Sequence, residues 1–160
     1  MDSSITKHQK NLSAAIHIST FSKYFIPFGN FIVPLILWTS NKNQSQFIDY
    51  NGKQALNFQI SILLYSIAIG VVAFTLALFT TWDFIDFISI SEYNTHHIDF
   101  DFDFDFDNPL SFSAGIILLS TMGILGLGLL VLDVVCTVIA TLKSNEGIEY
   151  KYPLTINFIN

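Results

Sequence analysis

The chain contains no arginine; its seven basic residues are all lysine. It has one cysteine, Cys136, and only 12% of its residues are charged, about half of what a soluble domain usually carries. Each shortage excludes something. Sparse cationic charge without arginine argues against nucleic acid as a partner. A single cysteine forms no intrachain disulfide and supplies no thiolate cluster for a metal, so Cys136, inside an apolar run, reads as a small buried or lipid-facing side chain. The first ten residues are polar and lack the short apolar core and small-residue cleavage site of a secretory signal, so the first segment is expected to be retained. There is no Ser-His-Asp or Cys-His set, no phosphate-cradling glycine loop and no metal-spaced Cys/His cluster. With so little polar chain, an enzyme is not expected, nor a cofactor.

What the chain has instead is long apolar runs: 51% of its residues are hydrophobic and 15% aromatic. From Gln54 to Trp82 there is no charge. About twenty apolar residues span some 30 Å of hydrocarbon as a helix, so the segment 47–82 is long enough with a turn or two to spare. A second such run covers 110–142. These two stretches define the expected fold: an all-α, polytopic helical membrane bundle, with the lipid bilayer as its first partner.

The remaining segments fit around that pair. Residues 1–11 are a polar tail. Residues 12–40 are apolar but broken by Lys23, Pro27, Gly29, Asn30 and Pro34. Proline costs a helix its hydrogen bond and crowds the preceding turn, and each half is too short to span. Either one kinked spanning helix or a re-entrant hairpin fits. Residues 83–109 read as a loop with eight of the thirteen acids and no lysine. Residues 143–160 read as a surface tail, with Tyr150 and Tyr152 as interfacial anchors. Lysines cluster before the central helix and after the last one. The positive-inside rule therefore puts residues 40–53 and the C-terminus in the cytoplasm and the acidic loop outside. With a hairpin all seven lysines stay inside, which charge favours. The expected location is a bacterial cytoplasmic (inner) membrane.

Several polar positions stand out. Asp133 is the only acid inside a hydrophobic segment, and an intramembrane carboxylate is a functional candidate by default. Bonding across the bundle to Gln54, Asn57 or Asn30 is the structural alternative; Gln59 is a further amide at the entry of the central helix. His17 reads as a polar contact near the interface. Small residues Ser66, Gly70, Ala73 and Ala77 line one side of the central helix and suit close packing against the glycines of the last one. In the loop, Asp99, Asp101, Asp103, Asp105 and Asp107 alternate with four phenylalanines. As a strand this gives one acidic and one aromatic edge, a weak candidate for loose cation binding or partner docking. A low-complexity expansion is the simpler reading. His96 and His97 beside it form a pair without further ligands.

Four stretches together resemble a known family: LSAAIHISTFSKYFIPFGNFIVPLILW, FIDYNGKQALNFQ, the last helix ending VIATLKSNEG, and YKYPLTINFI. They are similar to a family of small bacterial membrane proteins described as a domain of unknown function, itself distantly similar to the chloroplast inner-envelope Tic import component. The resemblance implies a compact helical bundle without catalytic residues. Its motif positions fall on Pro27, Gly29, Asn30 and Pro34, on Gly52, Lys53, Ala55, Asn57 and Gln59, and on Tyr152, Pro153 and Leu154. It implies a non-enzymatic scaffold or accessory subunit of a membrane assembly, with protein translocation or insertion as a candidate task and other membrane subunits or a second copy as partners. The rival reading is a small transporter or channel component that uses Asp133.

Overall fold

The computed structural model of the protein describes residues 5–92 and 109–159. Every regular element among them is helical: α1 (Lys7–Ile18), a 3-10 helix (Ser19–Tyr24), α2 (Gly29–Asn41), a short 3-10 turn (Lys42–Gln44), α3 (Gln46–Glu92) and α4 (Pro109–Glu146). α1 starts on a capping box. The Thr6 hydroxyl accepts from the Gln9 amide at 3.3 Å, and the Gln9 side chain accepts from the Thr6 amide at 3.0 Å, so two orphan donors of the first turn are satisfied together.

The first apolar segment is broken where proline and glycine predicted. Phe28 takes a left-handed conformation, φ 58°, immediately before α2. Gly29 then fits directly against Ser22; a β-carbon there would come within 2.6 Å of the Ser22 carbonyl oxygen. The partners of each half show that the chain reverses at this break. Lys10 reaches the α4 C-terminus, and Lys23 reaches Asp133, far back along α4. On the return, Asn30 meets Gln59 and Trp38 meets Asp49, so α2 runs antiparallel to α3. At 1.5 Å per residue neither α1 nor α2 is long enough to cross a bilayer.

α3 and α4 each contain such a length: Gln46–Leu76, 31 residues, and Ser120–Glu146, 27 residues, are long and apolar enough to cross a membrane. Both helices exceed their expected bounds. α3 continues past Trp82 to Glu92, because nothing in 83–92 is proline or glycine and the segment has no breaker. α4 continues past Lys143, whose side chain lies over the Tyr150 ring at 5.4 Å; a cation in the last turn favours a helix rather than stopping it. The stop is Gly147, at φ +90°. Its amide bonds the Ser144 carbonyl at 3.0 Å and the Ile148 amide bonds the Lys143 carbonyl at 2.9 Å, a Schellman cap that needs glycine.

The described chain forms two units, Met1–Tyr65 with Leu129–Asn160, and Ser66–Gly128. The first contains the core. One cluster joins Ile16, Trp38, Ile48, Ala55 and Leu56; a second joins Phe58, Cys136, Ala140 and Tyr152. Tyr152 is therefore not an interfacial anchor. It is buried, stacked on Phe58 with ring centroids 4.1 Å apart. In the second unit Ile67, Val71, Phe74, Ile124 and Leu127 are exposed. Among the described residues nothing lies within 4 Å of a β-carbon at Gly70, Gly123, Gly126 or Gly128, and the close packing expected of the small-residue stripe is not seen there.

Candidate functional site

The polar residues of the first unit gather in three groups. The first centres on Asp133, 2% exposed. One carboxylate oxygen pairs with the Lys23 ammonium, and the other accepts from the Gln59 amide at 2.8 Å. The Gln59 oxygen accepts from Asn30 at 2.9 Å. A single chain of contacts therefore joins the 3-10 helix, α2, α3 and α4. Two of the expected residues, Asn30 and Gln59, meet Asp133 through this chain. Gln54 and Asn57 do not; Gln54 is buried with no partner for its side-chain oxygen. Lys23 was legible only as an interruption of the first apolar segment. A lone carboxylate in hydrocarbon requires a countercharge, and Lys23 is the only lysine between Lys10 and Lys42.

The second group centres on His17, fully buried on α1. Its Nε2 lies 2.9 Å from Asn51 Oδ1 and its Nδ1 lies 2.9 Å from the Tyr152 hydroxyl. Asn51 donates its own amide nitrogen to the Phe47 carbonyl, so Oδ1 can only accept, there and from Ser144 at 2.8 Å. It follows that Nε2 carries the proton and that Tyr152 donates to Nδ1. His17 is thus a neutral hub between α1, α3, α4 and the C-terminal tail. Burial lowers its pKa from 6.5 to about 4, partly opposed by the hydrogen bond to Asn51. Burial also raises the Tyr152 hydroxyl well above its usual 10, so the donor remains protonated.

The third group is the grip of α3 on the tail. Asn57, Ser61 and Tyr65 bond the backbone of residues 154–159. Near the other end of the unit lies a cavity of about 470 Å³ lined by Trp38, Lys42, Ser45, Gln46, Asp49 and Lys53 among others. Its cations are already engaged: Lys42 lies 5.2 Å from the Trp38 ring centroid, and Lys53 pairs with Asp49 at 2.6 Å. Gly52 is required here, since a β-carbon would sit 2.2 Å from the Trp38 indole.

Pro34 is buried within α2, whereas Pro27 and Pro153 are exposed in turns. Among the described residues no three His, Cys, Asp or Glu side chains are grouped to hold a metal ion. Asp99, Asp101, Asp103, Asp105 and Asp107, with His96 and His97, lie outside the described residues.

A family model matches residues 8–159, nearly the whole chain: the magnetosome magnetite crystal formation protein family. The chain belongs to this family. The match includes the first hairpin, both long helices and the tail, so the three polar groups all fall within it. No curated protein and no solved structure matches the chain. Family membership and two helices of spanning length make this a membrane protein of a small bacterial family.

Proposed function

We propose that the protein is a non-enzymatic scaffold or accessory subunit of a membrane assembly, with α3 and α4 spanning and the first hairpin and the tail re-entering from one side. The observation that carries this reading is the state of Asp133: both of its oxygens are taken, by Lys23 and Gln59, and it is closed to the surroundings. A carboxylate so engaged and so buried ties elements together and is not presented to a passing ion. The hairpin tip supports re-entry. Tyr24, Phe25, Ile26 and Phe28 are exposed there, Phe25 at 87%, and a tip of that composition is suited to hydrocarbon. Lysine distribution favours a cytoplasmic side for the hairpin ends and the C-terminus, in the bacterial inner membrane or a membrane derived from it.

Two tasks are compatible with this role. The family description points to magnetite crystal formation; protein translocation or insertion is the task that the sequence resemblance implies, and the family match lends it no support. Purifying the tagged protein from its native membrane in mild detergent, with mass spectrometry of what accompanies it, tests the accessory role. Stoichiometric recovery with other membrane subunits is the expected result, and their identity chooses between the tasks. Recovery of the protein alone, with a solute or ion flux in vesicles that Asp133→Asn abolishes at unchanged expression, would overturn it in favour of a transporter.

A further inference from the structure

Charge decides how deep the first hairpin can sit. Between Lys10 and Lys42 the only charged residue is Lys23, and its ammonium pairs with the buried Asp133 carboxylate. What this stretch shows outward is apolar: Ile18, Ile32 and Ile36 are exposed along its two arms, and Phe25 and Phe28 at its tip. The turn also engages its own backbone. The amides of Phe25 and Ile26 bond the Ser22 carbonyl at 3.0 and 2.9 Å, and the Gly29 amide bonds the Ile26 carbonyl at 2.9 Å. Pro27, between them, has no amide to satisfy. A turn with its peptide groups so engaged is suited to hydrocarbon, where no water is available to bond them.

The long helices give the depth of the tip. Lys23 meets Asp133, ten positions before Lys143, and Asn30 meets Gln59, six positions after Lys53. At 1.5 Å per residue these meeting points lie about 15 Å and about 9 Å along the helices from those lysines. The hydrocarbon core is about 30 Å thick, so the hairpin turns near mid-depth. It adds two helices, each with a cross-section of about 80–110 Å², to one leaflet and nothing to the other.

We infer that the first hairpin is a one-sided wedge: its partner is the acyl-chain layer of a single leaflet, and it makes the protein gather where the membrane is convex towards the hairpin's side. In a convex leaflet the lipids are spread apart, and inserted apolar surface fills the added area, which is why one-sided insertion responds to curvature. The inference rests on the re-entrant placement proposed above, but not on the accessory role or its task.

The test uses the full chain in giant vesicles from which thin membrane tubes are drawn. A fluorophore is attached at Asn43→Cys in a Cys136→Ala background. A membrane-impermeant quencher added outside separates copies with Asn43 outside from copies with Asn43 inside. The outer leaflet of a tube is the convex one. In tubes of about 20 nm radius, copies with Asn43 outside are expected to be enriched about twofold over the parent vesicle, relative to a lipid dye, and copies with Asn43 inside to be depleted by a similar factor. Both ratios should approach one as the tube widens. Equal density in tube and vesicle for both orientations overturns the inference, as does enrichment regardless of orientation, which would reflect clustering. The placement beneath it is read separately, by labelling His8→Cys and Asn43→Cys from either side of sealed native vesicles. Labelling from the same side without sorting in tubes sinks the wedge and leaves the hairpin in place. Labelling from opposite sides sinks the placement, and the wedge with it.

Discussion

The two units of this protein are built from the same two long helices, yet they solve the problem of burial in opposite ways. In Met1–Tyr65 with Leu129–Asn160, buried positions are held by His17, Asn51, Asn57, Gln59 and Asp133, and the glycines are tight against neighbours. In Ser66–Gly128, large apolar side chains point outward, the described glycines face open space, and Thr75 and Thr121 bond carbonyls of their own helix at 2.8 and 2.7 Å. The difference follows from backbone regularity. A continuous helix satisfies its own peptide groups and needs no polar side chain in hydrocarbon. The first unit includes a 3-10 helix, a left-handed break at Phe28 and an irregular tail, whose peptide groups require partners. Polar side chains therefore collect where the chain leaves the α-helix.

This comparison can be broken most severely at Asp133. Lys23→Ala leaves a buried carboxylate without its countercharge, and a loss of about 3–5 kcal/mol is expected, measured by unfolding in mixed micelles. Replacing both residues, Lys23→Met with Asp133→Leu, should recover most of it. If the single and double variants are equally destabilised, the pair contributes through shape and not through charge.

Next in size is a pH effect from His17. Its native pKa is about 4 against 6.5 when unfolded. The unfolded state binds the proton first, so stability is complete above pH 6.5 and falls as the pH drops towards 4. Full loss amounts to about 3 kcal/mol at about 1.4 kcal/mol per pH unit. His17→Gln should flatten the profile in that window; an unchanged slope would assign it to other groups.

Glycine substitutions sharpen the contrast at smaller cost. Gly52→Ala forces a methyl into the Trp38 ring and should destabilise by about 1–3 kcal/mol. Gly123→Ala enters open space and should stabilise its helix by up to about 1 kcal/mol. A thermal-shift comparison of the two distinguishes the units; a destabilising Gly123→Ala would reveal a neighbour packed there in the membrane.

Much of this was legible in the sequence. The two long apolar runs gave α3 and α4, and Pro27 with Gly29 gave the break. Asp133, Asn30 and Gln59 stood out because polar residues are rare in such runs. What was not legible was pairing. Lys23 and Asp133 are far apart in sequence, and only the reversal at Phe28 brings them together. Tyr152 was misread for a related reason: an aromatic residue near a helix end suits an interface, and nothing local shows that the tail folds back onto Phe58. The ends of α3 and α4 were not legible because the apolar runs end before the helices do: nothing in 83–92 breaks α3, and α4 stops only at Gly147.

The most direct test of the account is the sidedness of the first hairpin. In a Cys136→Ala background, single cysteines at His8, Asn43 and Glu149 are labelled with a membrane-impermeant maleimide added to either side of sealed vesicles, alongside one at Phe28. The account predicts that the first three react from one and the same side and that Phe28→Cys is protected from both. Labelling of His8→Cys from the side opposite Asn43→Cys would contradict it, since the first segment would then cross the membrane and could not bring Lys23 to Asp133 as a returning hairpin.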